Sequence, residues 1–293
     1  MGDNRPIGVF DSGLGGLTVA RAIACGLPGE SIYYFGDTER CPYGTRTEGE
    51  VRTFAIQAAR WLEKHDVKII VIACNTATAA ALHTLQQLLS VPVIGVIDPG
   101  ARAAINSTRS RKVGVLATEL TVRSGAYTRA IQSRDAGVDV YSCPAPSFVE
   151  LVERELATGA HLQERWLEDG DVFDTPEVRE HVAATIEPLR LGHVDTVVLG
   201  CTHFPLLANP IRAALGPGVR VVSSAEETRR ELEDILQRRE QLAQGDKVAQ
   251  HRFATTSENI AEFAAAGSFI FGQPLKSIEY VSGEELEAIK PSR

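Results

Sequence analysis

The sequence has 293 residues, of which 44% are hydrophobic and 23% charged, and its formal net charge is −8. At about 150 residues per domain this length predicts two domains, and the composition is typical of globular proteins. The acidic balance argues against nucleic acid as a substrate, because phosphate binding favours a basic surface. No apolar run approaches the ~20 residues that a membrane helix needs.

The N-terminus, MGDNRPIGVF, has neither the basic nor the apolar region of a signal peptide. The cysteines are odd in number and form no CxxC pair: Cys25, Cys41, Cys74, Cys143 and Cys201. We therefore expect reduced thiols and a cytoplasmic protein. We expect Cys25 and Cys143 to be small buried hydrophobes, which is the usual role of a lone cysteine.

Short β-branched runs alternate with helix-like stretches along the chain. The predicted strands are Ile7–Phe10, Ser31–Gly36, Val67–Cys74, Val91–Ile97, Lys112–Ala117, Val138–Cys143, Val194–Cys201 and Val219–Ser223. Apolar residues at i, i+3 and i+4 predict helices between them, for example over Thr53–Glu63 and Ala79–Leu89. This alternation indicates βαβ units and parallel sheets, and runs such as VKIIVIAC are typical of strands buried on both faces.

Two charged or mixed helices are expected after the last strand. One begins with a capping box from Ser224 to Glu227, and its charges are interpreted as a solvated face. The other begins with a capping box from Thr255 to Glu258.

Two segments in the first half of the chain are similar in sequence to two segments in the second half. KVGVLATE resembles PIGVFDSG, and VVLGCTHFP resembles IIVIACNTAT, so we interpret the chain as two α/β halves of similar plan. Pro99 and Gly100 follow a predicted strand and are candidates for the crossing between them.

Polar residues stand at or just beyond predicted strand ends, where ligands bind in open α/β sheets: Asp11, Asp37, Cys74, Thr118 and Cys201. The glycine-rich turn FDSGLGG leads into a helix whose free N–H groups favour an anion. Turn N–H groups in GDTERCPYGTR are also suited to a carboxylate. Each turn is equally consistent with an ordinary connection that has no ligand.

Cys74 and Cys201 carry the strongest chemical signal. Asn75 and Thr76 follow the first, and Thr202 and His203 follow the second, where a strand opens into a helix start. We expect that setting to lower the thiol pKa. A nucleophilic cysteine would leave the second thiol unexplained, and a metal site would need closer ligand clustering. Two matched thiols fit best an acid/base pair acting on opposite faces of one carbon, as racemisation requires.

Five motifs together resemble the glutamate racemases, which are cofactor-independent: FDSGLGGLTV, YFGDTERCPYGTR, VIACNTATA, VIGVIDPGARAA and LGCTHFPLL. The resemblance implies two pseudo-symmetric three-layer α/β domains with mainly parallel sheets and the active site in the cleft between them. It suggests a first domain of residues 1–98 plus 224–293 and a second of residues 99–223. It also implies catalysis without metal or pyridoxal, supplying D-glutamate for peptidoglycan.

The family's site residues carry over by motif. Cys74 and Cys201 match the two thiol acid/bases, which act on the D-glutamate and L-glutamate faces respectively. Asp11 and His203 match the groups that support these thiols, and Glu153 matches an acid that assists on the His203 side. The remaining matches are substrate contacts: Asp11, Ser12, Tyr43, Gly44, Asn75, Thr76, Thr202 and His203, with Thr118 and Thr121 as second-tier contacts. We expect the two sulfur atoms to be about 7–8 Å apart across the cleft.

Two departures from the family pattern stand out. Phe204 replaces a common tyrosine, and the charged stretch Leu156–Glu177 looks long. The resemblance permits a homodimer and leaves two alternatives open. One is a racemase for another acidic amino acid, and the other is a protein-binding regulator, since some members inhibit DNA gyrase. Two intact cysteines favour catalysis.

Overall fold

The computed structural model describes residues 2–157, 171–244 and 248–289. Its strands are β1 Ile7–Asp11, β2 Ile32–Gly36, β3 Ile69–Ile72, β4 Val93–Gly95, β5 Lys112–Ala117, β6 Asp139–Pro144, β7 Thr196–Gly200, β8 Arg220–Ser223, β9 Arg252–Thr255 and β10 Ile278–Tyr280. The helices are α1 Leu17–Gly26, α2 Glu48–Lys64, α3 Asn75–Leu88, α4 Ile97–Ser107, α5 Glu119–Ser124, α6 Ala126–Gln132, α7 Pro146–Leu156, α8 Pro176–Thr185, α9 Glu187–Leu191, α10 Ala208–Leu215, α11 Ser224–Arg238, α12 Ile260–Phe271 and α13 Gly283–Glu287.

The strands form two sheets in which every pairing is parallel, with helices on both sides, so the predicted α/β fold is confirmed. The six-stranded sheet has the order β10-β9-β2-β1-β3-β4, and the four-stranded sheet has the order β6-β5-β7-β8. The central strands β1, β3 and β7 are buried along their whole length, as their continuous apolar runs predict.

The similarity between the two halves of the sequence corresponds to a topology that occurs twice in the structure. The order β2-β1-β3-β4 in the first sheet has the same connectivity as β6-β5-β7-β8 in the second. Cys74 follows β3 and Cys201 follows β7, so the two cysteines leave topologically equivalent strands. The first sheet takes its strands from residues 7–95 and 252–280, and the second from residues 112–223. The domain borders proposed from the sequence stay a prediction.

Several local predictions were wrong. The strand Val91–Ile97 is only Val93–Gly95, and Pro99 and Gly100 lie in the first turns of α4, where Pro is tolerated because the early N–H groups have no intrahelical partner. Strands β9 and β10 complete the edge of the first sheet and were not predicted.

The two predicted capping boxes are also displaced. Ser223, not Ser224, caps α11, and its side chain accepts a hydrogen bond from the Ala225 N–H. Thr255 belongs to β9, and Asn259 caps α12 by accepting from the Glu262 N–H. In the described ranges no helix is long and apolar enough to cross a membrane.

Candidate active site

A small pocket lies where the carboxyl ends of the two sheets face each other, and both cysteines line it. Its wall consists of Ser12, Tyr43, Gly44, Cys74, Asn75, Thr76, Thr118, Val149, Cys201, Thr202 and His203. Every one of these except Val149 was singled out from the sequence. The structure therefore brings ten predicted site residues to one place, and Asp11, Thr121 and Glu153 contact members of this wall from behind.

The free volume inside the pocket is about 20 Å³, which is room for about one water molecule. A larger cavity of about 620 Å³ is lined by Arg21, Phe173, Leu206, Arg212 and Phe269, among others, and contains neither cysteine. We assign the chemistry to the smaller pocket because its wall carries the thiols, hydroxyls and imidazole. We call the side of the pocket that carries Cys74 its first wall and the side that carries Cys201 its second wall. An amino acid can enter only if these two walls move apart.

Cys74 caps the start of α3 and is almost completely buried. Its sulfur accepts a hydrogen bond from the Ala77 N–H at 3.4 Å and donates to Ser12 Oγ at 3.5 Å. Burial raises the pKa of Cys74 to about 12, and the negative charge of Asp11 adds to this rise. The prediction that the helix start would lower this pKa was therefore wrong, since the effect of desolvation outweighs that of the hydrogen bonds that Cys74 makes with Ser12 and Ala77.

On the opposite wall, Cys201, His203 and Glu153 form a chain of contacts. His203 Nδ1 lies 3.7 Å from Cys201 Sγ, and His203 Nε2 lies 2.5 Å from Glu153 Oε1. Burial opposes protonation of His203, but its bonds to Cys201 and Glu153 raise its pKa well above the ordinary value. This wall thus places an imidazole with a raised pKa beside the sulfur of Cys201, an arrangement that activates cysteine in many enzymes.

Asp11 joins the two walls. Its Oδ2 accepts hydrogen bonds from the N–H groups of Gly13 at 3.1 Å and Gly16 at 2.9 Å, and its Oδ1 accepts from Thr202 Oγ1 at 3.4 Å. Burial raises the pKa of Asp11. Two N–H groups of the glycine-rich turn, those of Gly13 and Gly16, are therefore bonded to a side chain of the protein itself and are not left for an external anion.

The turn also approaches the second wall very closely. A Cβ on Gly15 would lie 2.6 Å from Thr202 Oγ1 and 2.8 Å from His203 Nδ1. Real Cβ atoms do not approach other atoms this closely, so a side chain at position 15 would displace the wall that carries Cys201 and His203.

Three threonine hydroxyls form a closed triangle between the halves. Thr76 Oγ1 lies 2.9 Å from Thr118 Oγ1 and 3.2 Å from Thr121 Oγ1, and the latter two are 2.9 Å apart. Thr76 belongs to α3, whereas Thr118 caps α5 and Thr121 lies within it. The triangle presents hydroxyls to the pocket and links its two walls.

Two other predicted residues contact the pocket in ways the sequence did not indicate. Tyr43 lines the pocket wall, and its hydroxyl donates to Asp37. Asp37 itself also accepts from Arg40 and Thr256 and does not line the pocket. A Cβ on Gly44 would lie 2.8 Å from the Thr118 Cβ, so glycine permits a close approach of the two halves there.

Tyr127 also supports the pocket wall, but no recognisable motif surrounds it and it was not predicted from the sequence. Its hydroxyl donates to Asn75 Oδ1 at 2.7 Å, so a buried residue of the second half holds a side chain of the pocket wall. The only available signal was a lone tyrosine in a helical stretch, which is more often an ordinary core residue.

The structure also shows where Phe204, Cys143 and Cys25 lie. Phe204 is fully buried and packs edge-on against Phe148 at 5.4 Å between ring centroids. Cys143 is buried as predicted, but Cys25 is exposed because it lies on the outer face of α1. Within the stretch Leu156–Glu177, residues 158–170 lie outside the described residues.

Comparison with known proteins agrees with this geometry. Residues 15–232 match the Asp/Glu/Hydantoin racemase family model. The chain is 43% identical over 284 residues to the glutamate racemase of Exiguobacterium sibiricum, covering 97% of this chain and 98% of that protein.

Solved structures are similar over nearly the whole fold. Glutamate racemase isoform RacE1 from Bacillus anthracis has a TM-score of 0.85 and 42% identity, covering 96% of this chain and 98% of that one. The glutamate racemase of Francisella tularensis, solved in complex with D-glutamate, has a TM-score of 0.83 and 32% identity, covering 98% and 99%. The chain therefore belongs to the Asp/Glu/hydantoin racemase family.

Proposed function

We propose that this protein is a glutamate racemase that interconverts L- and D-glutamate by proton transfer at two cysteines. The observation that carries the proposal is the placement of Cys74 and Cys201. They follow equivalent strands of two sheets with the same connectivity and line one pocket from its two walls. Inverting a carbon centre needs a base on one face and an acid on the other, and two thiols in this arrangement supply both.

In the L-to-D direction, Cys201 removes the α-proton and Cys74 delivers a proton to the opposite face. The raised pKa of Cys74, about 12, keeps its sulfur protonated at neutral pH and suits it to the role of acid. His203 lies beside Cys201, and Glu153 holds the far side of its ring, so this pair supports charge changes at the sulfur that takes the proton. In the reverse direction the two cysteines exchange roles.

In that reverse direction Cys74 must first lose its proton. A bound ammonium group near the sulfur would favour the thiolate, because an opposite charge within about 4–6 Å stabilises the charged form. Asp11, which is buried and bonded to two backbone N–H groups, stands behind this wall as a group that can balance that ammonium.

The pocket wall suits a ligand with two carboxylates. Asn75, Thr76, Thr118 and Thr202 offer an amide and hydroxyls, and Ser12 adds another hydroxyl. Such donors bind carboxylates without burying several fixed cations. The Francisella tularensis relative holds D-glutamate, and its similarity over 98% of this chain supports glutamate as the substrate here.

The proposal includes a cellular role and place. D-glutamate made by this reaction would supply peptidoglycan synthesis. Both proposed bases must be reduced thiols, which favours the cytoplasm, and all five cysteines are free in the structure.

The direct test is circular dichroism of L-glutamate and of D-glutamate incubated with the purified protein. We expect both solutions to reach the same racemic end point, with rates unchanged by EDTA or by carbonyl reagents that trap pyridoxal. Strong inhibition by either treatment would contradict cofactor-independent catalysis. Faster turnover of aspartate than of glutamate would favour the alternative acidic substrate, and absent turnover with tight gyrase binding would favour a regulator.

A further inference from the structure

Tyr127 lies on α6 in the second half of the molecule, and its ring is enclosed by two glycines. Only 2% of the residue is exposed. A Cβ on Gly200 would lie 2.9 Å from Tyr127 Cε2, and a Cβ on Gly100 would lie 3.0 Å from Tyr127 Oη. Gly200 directly precedes Cys201, and the same Cβ on Gly100 would lie 3.2 Å from the Ser224 Cβ. The ring therefore fills a space that only glycine leaves open at these two positions.

The hydroxyl of Tyr127 has a specific partner across the pocket wall. It donates to Asn75 Oδ1 at 2.7 Å. Asn75 is 3% exposed, and its Nδ2 is buried with no hydrogen-bond partner among the described residues. A buried amide N–H without a partner costs about 1–3 kcal/mol, and Asn75 lines the pocket, so a ligand bound there can supply the missing acceptor.

The orientation of this amide decides what the pocket can bind. With Oδ1 bonded to Tyr127, the donor end of Asn75 is left for a ligand oxygen. The reverse orientation would leave the carbonyl oxygen for the ligand, and a carboxylate cannot donate to it. Burial raises the pKa of Tyr127, so the hydroxyl keeps the proton that it donates.

We propose that Tyr127 is a positioning residue for substrate binding: its hydroxyl fixes the side-chain amide of Asn75 so that Nδ2 bonds a carboxylate oxygen of the amino-acid substrate. The inference rests on the proposed racemase function, because it names the carboxylate as the missing acceptor. Asn75 contacts the substrate, and Tyr127 acts only through Asn75.

The first test is Tyr127→Phe, which removes one oxygen and keeps the ring between Gly100 and Gly200. Binding that is equally strong in ground and transition states affects KM and leaves kcat unchanged. We expect KM for both L- and D-glutamate to rise about 5- to 20-fold with kcat within about twofold, as for the loss of one buried hydrogen bond. Calorimetry with racemic glutamate, whose composition turnover does not change, should show the same loss in apparent Kd.

A double-mutant cycle separates positioning from general destabilisation. If Tyr127 acts through Asn75, Tyr127→Phe should add less than about twofold to the KM of Asn75→Ala. A full additional 5- to 20-fold loss in that background would overturn the proposal, as would a Tyr127→Phe variant with unchanged KM and Kd.

Two further variants complete the test. Tyr33→Phe is the matched control, because it removes a tyrosine hydroxyl that donates to Glu279 at 2.5 Å outside the pocket wall, and its KM should stay unchanged. Gly100→Ala should push the Tyr127 hydroxyl from Asn75 and raise KM without Tyr127 being replaced, which keeps the proposal testable if Tyr127→Phe fails to fold. An unchanged KM in folded Gly100→Ala would count against it. Wild-type turnover of glutamate tests the proposed function separately.

Discussion

Nε2 of His203 lies 2.5 Å from Oε1 of Glu153, and this contact, with that to Cys201, raises the pKa of the buried imidazole well above its ordinary value. The side chain of His203 is 3% exposed, whereas that of Glu153 is 36% exposed. Glu153 is therefore partly solvated, and solvent screening limits the contribution of the pair to stability.

This pair predicts a pH-dependent effect of Glu153→Gln. A histidine whose folded pKa is raised contributes stability that is fully present below its unfolded pKa near 6.5 and is lost as the pH rises through the folded pKa. We expect the variant to be destabilised by about 1 kcal/mol at pH 6, a value reduced for the exposure of Glu153, with a gap to wild type that narrows above pH 6.5. Urea unfolding of both proteins between pH 6 and pH 10 measures this difference in the free energy of unfolding.

The control for this prediction is Glu150→Gln, an exposed residue on the same helix. It should leave unfolding stability within about 0.5 kcal/mol of wild type at every pH. A gap between wild type and Glu153→Gln that widened at high pH would contradict the assigned protonation of His203.

The approach of Gly15 to the second wall predicts a strong effect of Gly15→Ala. A Cβ there would lie 2.6 Å from Thr202 Oγ1, so Thr202 and His203 must shift. A displacement of about 1 Å near reacting groups can cost about 100-fold, and we expect kcat/KM to fall by that order. Steady-state kinetics in both directions give the measurement.

Gly49 offers a matched glycine. A Cβ on it meets no atom of the described residues within 4 Å, and it lies in α2 outside the pocket wall. Gly49→Ala should keep full activity and raise stability by up to about 0.5–1 kcal/mol. If both alanine variants kept wild-type activity, the close packing of the glycine-rich turn on the second wall would have no role in catalysis.

The hydroxyl triangle predicts graded effects on binding. Thr121 does not line the pocket but bonds to both Thr76 and Thr118. We expect Thr121→Val to lose about 1 kcal/mol of stability and to raise KM about two- to fivefold, because the two remaining hydroxyls lose one partner. Thr118→Val, which also removes the cap of α5, should raise KM more.

The control here is Thr185→Val, because the Thr185 hydroxyl donates to the His181 carbonyl at 2.9 Å and does not line the pocket. It should change stability by a similar amount and leave KM unchanged. Equal KM values in all three valine variants would show that the triangle plays no part in substrate binding.

Sequence patterns predicted the parts of this structure that depend on local chemistry. Continuous β-branched runs identified the central strands, and the repeated strand-then-cysteine pattern located Cys74 and Cys201 at equivalent places. Strands β9 and β10, which extend the first sheet beyond β2, were missed because they are short and follow a helix-rich region, so their pairing depends on the sheet that is already formed. Hydrophobic periodicity does not identify strands of three or four residues, because so short a segment contains too few alternations.

The site's electrostatics were less accessible from the sequence. The pKa of Cys74 depends on how completely the closed pocket excludes water. The residues adjacent to Cys74 in the sequence do not reveal this. In the same way, the carboxylate that fills the glycine-rich turn is Asp11, and only the folded turn shows that its N–H groups point inward. The bond between Tyr127 and Asn75 joins residues 52 positions apart and leaves no trace in either local motif.

The two single cysteine variants should each lose proton abstraction from a different isomer of the substrate. Serine is a far weaker base than a thiol, so full racemisation should fall by orders of magnitude in both Cys74→Ser and Cys201→Ser. Each variant keeps one thiol, however, and a substrate with a good leaving group on its β-carbon needs only one base, since loss of the α-proton leads directly to elimination. Cys74→Ser should eliminate preferentially from the L-isomer and Cys201→Ser from the D-isomer, measured as release of the leaving group. Equal loss for both isomers in both variants would contradict separate faces, and the opposite preference would show that the two faces are assigned the wrong way round.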